Sequence, residues 1–211
     1  MSRIEGIPAN RANPIVRAVY AAVKRTVAKM TGQPKLTPDI PVRAHRTSLL
    51  LGYCALEQAA AVKPRVEPRL RALAQIKAAV MLGCEMCQDI GSQQALAVGV
   101  DEAQVRDLYR YGESEQFGET EKLVLDLAVG MTSTPVNVSD ETFDALRERF
   151  DEPQLVELVN LICLENLRSR FNATFGLRSQ GFNEGSVCAR METAPPAHLS
   201  VVEPAAAGGQ R

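Results

Sequence analysis

Apolar residues recur at three- and four-residue intervals along most of the chain, the period of a helix face, and two-residue alternation is scarce. Eight helices are predicted on that pattern. The first covers residues 14–30, with Asn13 as cap, Pro14 as first helical residue and Gly32 as stop. A proline-bearing connector follows over 33–41. A second helix spans 47–62, with Leu49, Leu50, Tyr53, Leu56 and Glu57 at helical spacing, and Pro64 and Pro68 break it. The third runs over 69–82 and stops at Gly83. The fourth runs over 84–98 and stops at Gly99. Asp101 caps a short fifth helix over 101–110, and 111–118 is a polar loop. The sixth helix, 119–131, turns Leu123, Val124 and Leu127 inward. Ser139 caps the seventh, which carries Phe143, Leu146 and Phe150 on one stripe. The last and longest covers 153–175, opened by Asp151 and Pro153 and stopped by Gly176. From 181 onward the pattern is lost, and the Ala-, Pro- and Gly-rich stretch 193–211 reads as a flexible tail or an interface arm. No strand is needed, so the expected fold class is all-α.

A chain of 211 residues holds one substantial domain and can bury a core without disulfide staples. We expect 1–65 to be an N-terminal helical segment of the same domain, 66–180 the core, and 181–211 the tail. A net charge of −1 gives no general attraction to nucleic acid or to an anionic membrane, and neither is an expected partner. The longest apolar runs are a few residues, far short of a bilayer span. The opening Met1-Ser2-Arg3-Ile4-Glu5-Gly6 has no apolar stretch of the secretory kind, and a reducing cytoplasm is the expected compartment. There, five cysteines are not a disulfide framework, and a close pair reads as catalytic or metal-binding.

That pair is Cys84 and Cys87, in Gly83-Cys84-Glu85-Met86-Cys87. Three residues apart on a helix, the two thiols sit on neighbouring positions of one face. At the start of a helix they meet unpaired N–H groups and the positive end of the dipole, which favours thiolate. A thiolate with a second thiol beside it suits peroxide reduction or thiol–disulfide exchange. Two half-buried cysteines used as small apolar residues would have the same spacing. A zinc site would need two more Cys or His ligands, and histidine occurs only at His45 and His198. No cofactor is expected.

Arg69-Leu70-Arg71, an apolar helix and then the Cys84/Cys87 block resemble the carboxymuconolactone decarboxylase superfamily, in its alkylhydroperoxidase D (AhpD)-like branch. The likeness continues through 95–102, through Glu119-Thr120-Glu121-Lys122 and 134–139, and into the last helix at Asn166, Arg170, Phe171 and Asn172. Ser2-Arg3-Ile4-Glu5 and His45 resemble the longer members, so the likeness covers roughly residues 1–180. It implies an AhpD-like helical domain and a homo-oligomer, either a trimer, a trimer-based hexamer or a dimer. It also implies a peroxide or disulfide substrate reduced at the cysteine pair, with an external thiol as reductant. Lactone decarboxylases of the superfamily generally lack the pair. A decarboxylase-like lyase, or a non-catalytic oligomeric scaffold, is the alternative.

The redox branch carries a Glu twelve residues before the first Cys and a His four after the second. Here those positions hold Ala72 and Gly91, which accept no proton. Four residues could substitute as proton relay: Glu85 between the cysteines, Asp89 in the following turn, Lys77 seven residues before Cys84, and His45. First-turn acidic residues commonly serve the helix alone, a lysine can snorkel to the surface, and a histidine is often structural. Of the two cysteines, Cys84, nearer the helix start, is expected to be the more exposed. Tyr53, Cys54 and Cys163 read as core, and Cys188 as an exposed thiol or crosslink.

Overall fold

The computed structural model describes residues 2–190. Among them every regular element is helical: α1 (Pro14–Thr31), α2 (Asp39–Arg43), α3 (Thr47–Ala61), α4 (Pro68–Met81), α5 (Glu85–Ala97), α6 (Glu102–Asp107), α7 (Glu119–Thr132), α8 (Asp140–Arg147) and α9 (Glu152–Phe175). A 3-10 turn, Leu108–Arg110, extends α6. The fold class is therefore all-α, with one helix more than the sequence pattern indicated. The addition, α2, falls at the end of the proline connector. It is too short to show a period, and Pro41 lies in its first turn, where no intrahelical N–H bond is due. Among the described residues no helix is long and apolar enough to cross a membrane.

The centre is α4, which packs against α5, α7 and α9. One side of it, Leu70, Ala74 and Ala78, meets Val124, Leu127 and Ala128 of α7 and Leu158 and Ile162 of α9. Another side, Leu73, Ile76 and Val80, meets Ala95, Val105, Leu108 and Leu125. A helix packed on several sides shows no clean apolar stripe, and small residues at 74 and 78 let its neighbours approach. Polar ties brace it: the Arg69 guanidinium donates to Glu121 of α7 at 2.7 Å, and Arg71 pairs with Glu157 of α9 at 3.0 Å. The N-terminal helices form a second cluster around Val16, Tyr20, Ile40, Ala44 and Leu50.

Two helices carry apolar residues on the surface. In α3, Leu49, Leu51 and Leu56 are exposed and only Leu50 is buried. Phe143 of α8 is exposed, while Leu146 and Phe150 are inside. The stretch from 181, expected to be a tail or arm, packs on its own body through Arg190. Phe182, Asn183 and Ala189 are buried there, the first two held by their N–H groups on the Asp89 carboxylate. Further on, Ala189 N–H donates to Ser92 Oγ at 2.9 Å. The stretch 193–211 and His198 lie outside the described residues.

Candidate functional site

The end of α4 sets the cysteine pair in place. Gly83 turns left-handed at φ 63°, and its N–H donates to Val80 O while Cys84 N–H donates to Ala79 O. These two bonds close the helix and redirect the chain into α5. Cys84 becomes the cap of α5, its sulfur accepting the Cys87 N–H at 3.3 Å. The Cys84 and Cys87 sulfurs stand at disulfide distance, with Cα atoms 5.2 Å apart. Both are buried, yet not as expected: Cys84 is 3% exposed and Cys87 8%. Cys84 is tucked under the turn that it caps. Cys87, one turn on, lines a half-open cavity of about 450 Å³ bounded by α1, α2, α3, α4, α5 and α9.

Much of the cavity wall is apolar, with Val19, Val23, Ile40, Ile76, Met86 and Leu161 among its residues. Beside Cys87 the wall turns polar. Glu165, Ser169 and Asn172 of α9, spaced i, i+4, i+7, share one helix face. The Ser169 hydroxyl lies 3.5 Å from Cys87 Sγ and 2.9 Å from Glu165 Oε1. Asn172 Nδ2 donates to Cys87 Sγ at 3.5 Å and to Cys84 Sγ at 3.7 Å, and its buried Oδ1 has no partner. Arg168 donates to the other Glu165 oxygen at 2.7 Å and grips both oxygens of Glu57 in α3 at 2.7 and 2.8 Å. Burial alone would weaken the Arg168 charge, but Glu165 and Glu57 more than offset it and hold it protonated. Burial likewise opposes the Glu57 charge, and Arg168 outweighs it, leaving Glu57 below the usual carboxylate range. Tyr53 is pushed well above its ordinary value by burial and by Asp39 and Glu57, so it stays a phenol bonded to Glu57.

The four relay candidates are scattered. Glu85 points outward and pairs with Arg178. Asp89 is buried, but its carboxylate is already taken: it accepts from Ser179 Oγ at 2.7 Å and from the N–H groups of Gln180, Phe182 and Asn183. Burial raises its pKa, and the bonds from Phe182, Ser179, Asn183 and Gln180 together bring it below the ordinary value. Lys77 is buried on another side of α4, donating to Leu108 O at 3.0 Å beneath the Tyr111 ring. Its pKa falls to about 8, through burial opposed by Asp126. Exposed His45 bonds Glu5 O through Nε2 at 2.8 Å. Ala72 is half-buried against the core and Gly91 lines the cavity.

The groups that do converge on the sulfurs, Glu165, Ser169 and Asn172, carry a signal in the sequence. The stripe Leu158, Ile162 continues in phase through 165, 169 and 172, changing from apolar to polar without leaving the buried face. Cys163, expected in the core, lies off that stripe and is exposed. Cys188 is half-buried near Ser92. Among the described residues no three His, Cys, Asp or Glu side chains converge as metal ligands.

The sequence profile of the Carboxymuconolactone decarboxylase family matches residues 49–129, from α3 into α7, and so spans the pair. The YdfG protein of Bacillus subtilis (strain 168) is 32% identical over 110 residues, 52% of this chain and 75% of its own. The chain belongs to the carboxymuconolactone decarboxylase family. Its fold is also that of the debrominase Bmp8, with a TM-score of 0.73 at 18% identity over 86% of this chain and 94% of that one. The alkylhydroperoxidase AhpD core of a peroxidase-related protein from Ralstonia eutropha JMP134 superposes with a TM-score of 0.72 at 17% identity over the same shares. The polar face of α9 lies beyond the segment that the family profile covers.

Proposed function

We propose that this chain is a thiol-dependent peroxidase or disulfide oxidoreductase whose Cys84 and Cys87 cycle between dithiol and disulfide. One observation carries the reading: the two sulfurs stand at disulfide distance at the head of α5, with Cys87 in the wall of a half-open cavity. The Cys87 thiolate attacks a peroxide oxygen. An S–O bond forms, the O–O bond breaks, and the alkoxide takes a proton to leave as alcohol. Cys84 then attacks the resulting sulfenic acid, the S–S bond forms, and hydroxide leaves with the Cys84 proton as water. An external dithiol restores the pair by exchange. With a disulfide substrate the same thiolate attacks sulfur instead.

The charged groups beside Cys87 are already engaged with one another, Arg168 with Glu57 and Glu165, and Arg71 with Glu157, and none is left to pair with a charged ligand. A buried wall of that kind favours an uncharged, compact, largely apolar substrate. One Bmp8 structure, of a cysteine-to-alanine variant, is a complex with 2,3,4-tribromopyrrole, so halogenated aromatics belong in the substrate panel beside organic hydroperoxides. The proposal includes a homo-oligomer, supported by the exposed apolar residues of α3 together with Val156 and Leu167 of α9, and a reducing, cytoplasmic setting.

The test is peroxide consumption and disulfide reduction, coupled to dithiothreitol, by wild type, Cys84→Ser and Cys87→Ser. Turnover by wild type that Cys87→Ser abolishes, with no intramolecular disulfide formed in Cys84→Ser, supports the proposal. A wild type that consumes no peroxide and reduces no disulfide overturns it. Lactone decarboxylation that survives both substitutions would replace it with the lyase reading.

A further inference from the structure

Resting on the thiol chemistry above, we propose that Glu165, acting through the Ser169 hydroxyl, is the proton acceptor for the Cys87 thiol. The two relay positions of the redox branch hold Ala72 and Gly91. Glu85, Asp89, Lys77 and His45 are engaged elsewhere. Against Cys87 itself the structure places a serine hydroxyl at 3.5 Å, and behind it, at 2.9 Å, a carboxylate oxygen. Ser169 is fully buried and Glu165 is 4% exposed, so no bulk water competes for these bonds.

In the dithiol state the Cys87 S–H faces Ser169 Oγ, whose own hydrogen is given to Glu165 Oε1. Ionisation moves the thiol proton onto Oγ and the hydroxyl proton onto Oε1. The S–H bond breaks, an O–H bond forms at Glu165, and Ser169 is unchanged. Asn172 Nδ2, within reach of both sulfurs, donates to the thiolate that results. When the thiolate attacks peroxide, the same proton returns along the same path to the departing alkoxide and leaves as alcohol.

The charge balance suits this step. The charged and titratable groups around Glu165 are Arg168 on α9, Glu57, Tyr53 and Cys54 on α3, Asp39 and Arg43 on α2, Arg71 on α4, and Cys87 on α5, with the Cys54 thiol kept neutral by burial and by Asp39 and Glu57. Arg43 pairs with Asp39 and Arg71 with Glu157. What remains is one guanidinium between two carboxylates, Glu57 and Glu165, a group with net charge −1. Receiving the thiol proton makes that group neutral while the negative charge moves to the Cys87 sulfur, where Asn172 Nδ2 donates to it, so the total charge of the pocket is unchanged. Arg168 grips Glu57 by two bonds and Glu165 by one, so the proton belongs on Glu165.

The experiment uses the full chain in a Cys84→Ser background, so that Cys87 sulfenic acid, trapped with dimedone after cumene hydroperoxide, reports the first attack alone. Rates are followed from pH 5 to 10.5, with iodoacetamide alkylation of Cys87 in parallel. Glu165→Gln should slow the attack at pH 7 by roughly 100-fold, the lower end of a general-base contribution. It should also move the alkylation midpoint upward. Above pH 10, where hydroxide ionises the thiol unaided, the variant should regain the parent rate, which a packing defect would not do. Ser169→Ala should behave like Glu165→Gln, and Ser169→Thr, which keeps the hydroxyl, should restore most of the rate. A Glu165→Gln profile that superimposes on the parent overturns the relay and leaves the thiol reading intact. A slowdown equal at every pH overturns it too. A parent Cys87 inert to hydroperoxide at all pH values sinks the thiol reading itself.

Discussion

Replacing Asp89 with Asn should loosen the segment 179–190 and do so in a pH-dependent way. The Asp89 carboxylate is 5% exposed and accepts four hydrogen bonds, three of them from the backbone of that segment. Three of the four fall on Oδ2 and one, from Asn183 N–H, on Oδ1. An Asn side chain keeps three by placing its oxygen at the Oδ2 position, but then its amide N–H groups face the N–H of Asn183. One charge-assisted bond is lost and one buried donor left bare, a cost of about 1.5–3 kcal/mol. In a domain of this size each kcal/mol lowers the melting temperature by roughly 2–4 °C. Because the folded carboxyl ionises below its ordinary pKa, ionised Asp89 stabilises the fold. That contribution is complete above the unfolded pKa of about 3.9 and disappears as pH falls through the folded value. Urea unfolding of wild type and Asp89→Asn from pH 7 to pH 2.5 measures it. The gap should be open at pH 7 and close below pH 4, and limited proteolysis should cut the variant first between 179 and 190. A gap absent at pH 7, or undiminished in acid, would refute the reasoning.

Lys77 titrates near pH 8 in the fold against about 10.4 in the unfolded chain, so the unfolded state holds more protons between those values. Wild-type stability should rise from pH 8 to 10, and Lys77→Met should abolish the rise in urea titrations at pH 7 and 9.5. At Gly91, inside α5, a methyl would meet Ile76 at 3.6 Å, an ordinary contact. Gly91→Ala should therefore stabilise by about 0.5–1 kcal/mol in thermal melts, and a destabilised variant would mean the cavity wall cannot take a Cβ. Leu49 and Leu56, one face of α3, are 64% and 48% exposed. If this face joins copies of the chain, Leu49→Lys/Leu56→Lys should lower the mass by sedimentation velocity with helix content unchanged, and an unaltered mass would exclude it.

The helices were legible because their ends carry strong local signals. Asn13 caps α1 by accepting the Val16 N–H, Ser139 caps α8, Asp151 caps α9, and a glycine closes α1 and α9. What local pattern misses is partnership. Glu165 is an ordinary helix residue until Arg168, Ser169 and Cys87 are placed around it, and that meeting of α5 with α9 is a tertiary event. Asp89 failed as a relay for the same reason in reverse. Its partners, nearly a hundred residues downstream, lie in a stretch whose apolar period had vanished. The exposure of the two cysteines was misjudged because position in a helix turn says nothing about which side carries the cavity.

The burial of Cys84 behind Cys87 has a kinetic consequence. On the proposed chemistry, oxidant and reductant must reach the same sulfur through the same cavity, so the two half-reactions cannot overlap. Turnover is then ping-pong, with parallel lines in double-reciprocal plots. Each substrate in excess inhibits the other by occupying the cavity in the wrong half of the cycle. A bulky protein disulfide could not serve directly. The exchange partner has to present its sulfurs on something slender enough to enter, and the dimensions of the cavity, more than the reactivity of the thiols, decide what keeps the cycle running.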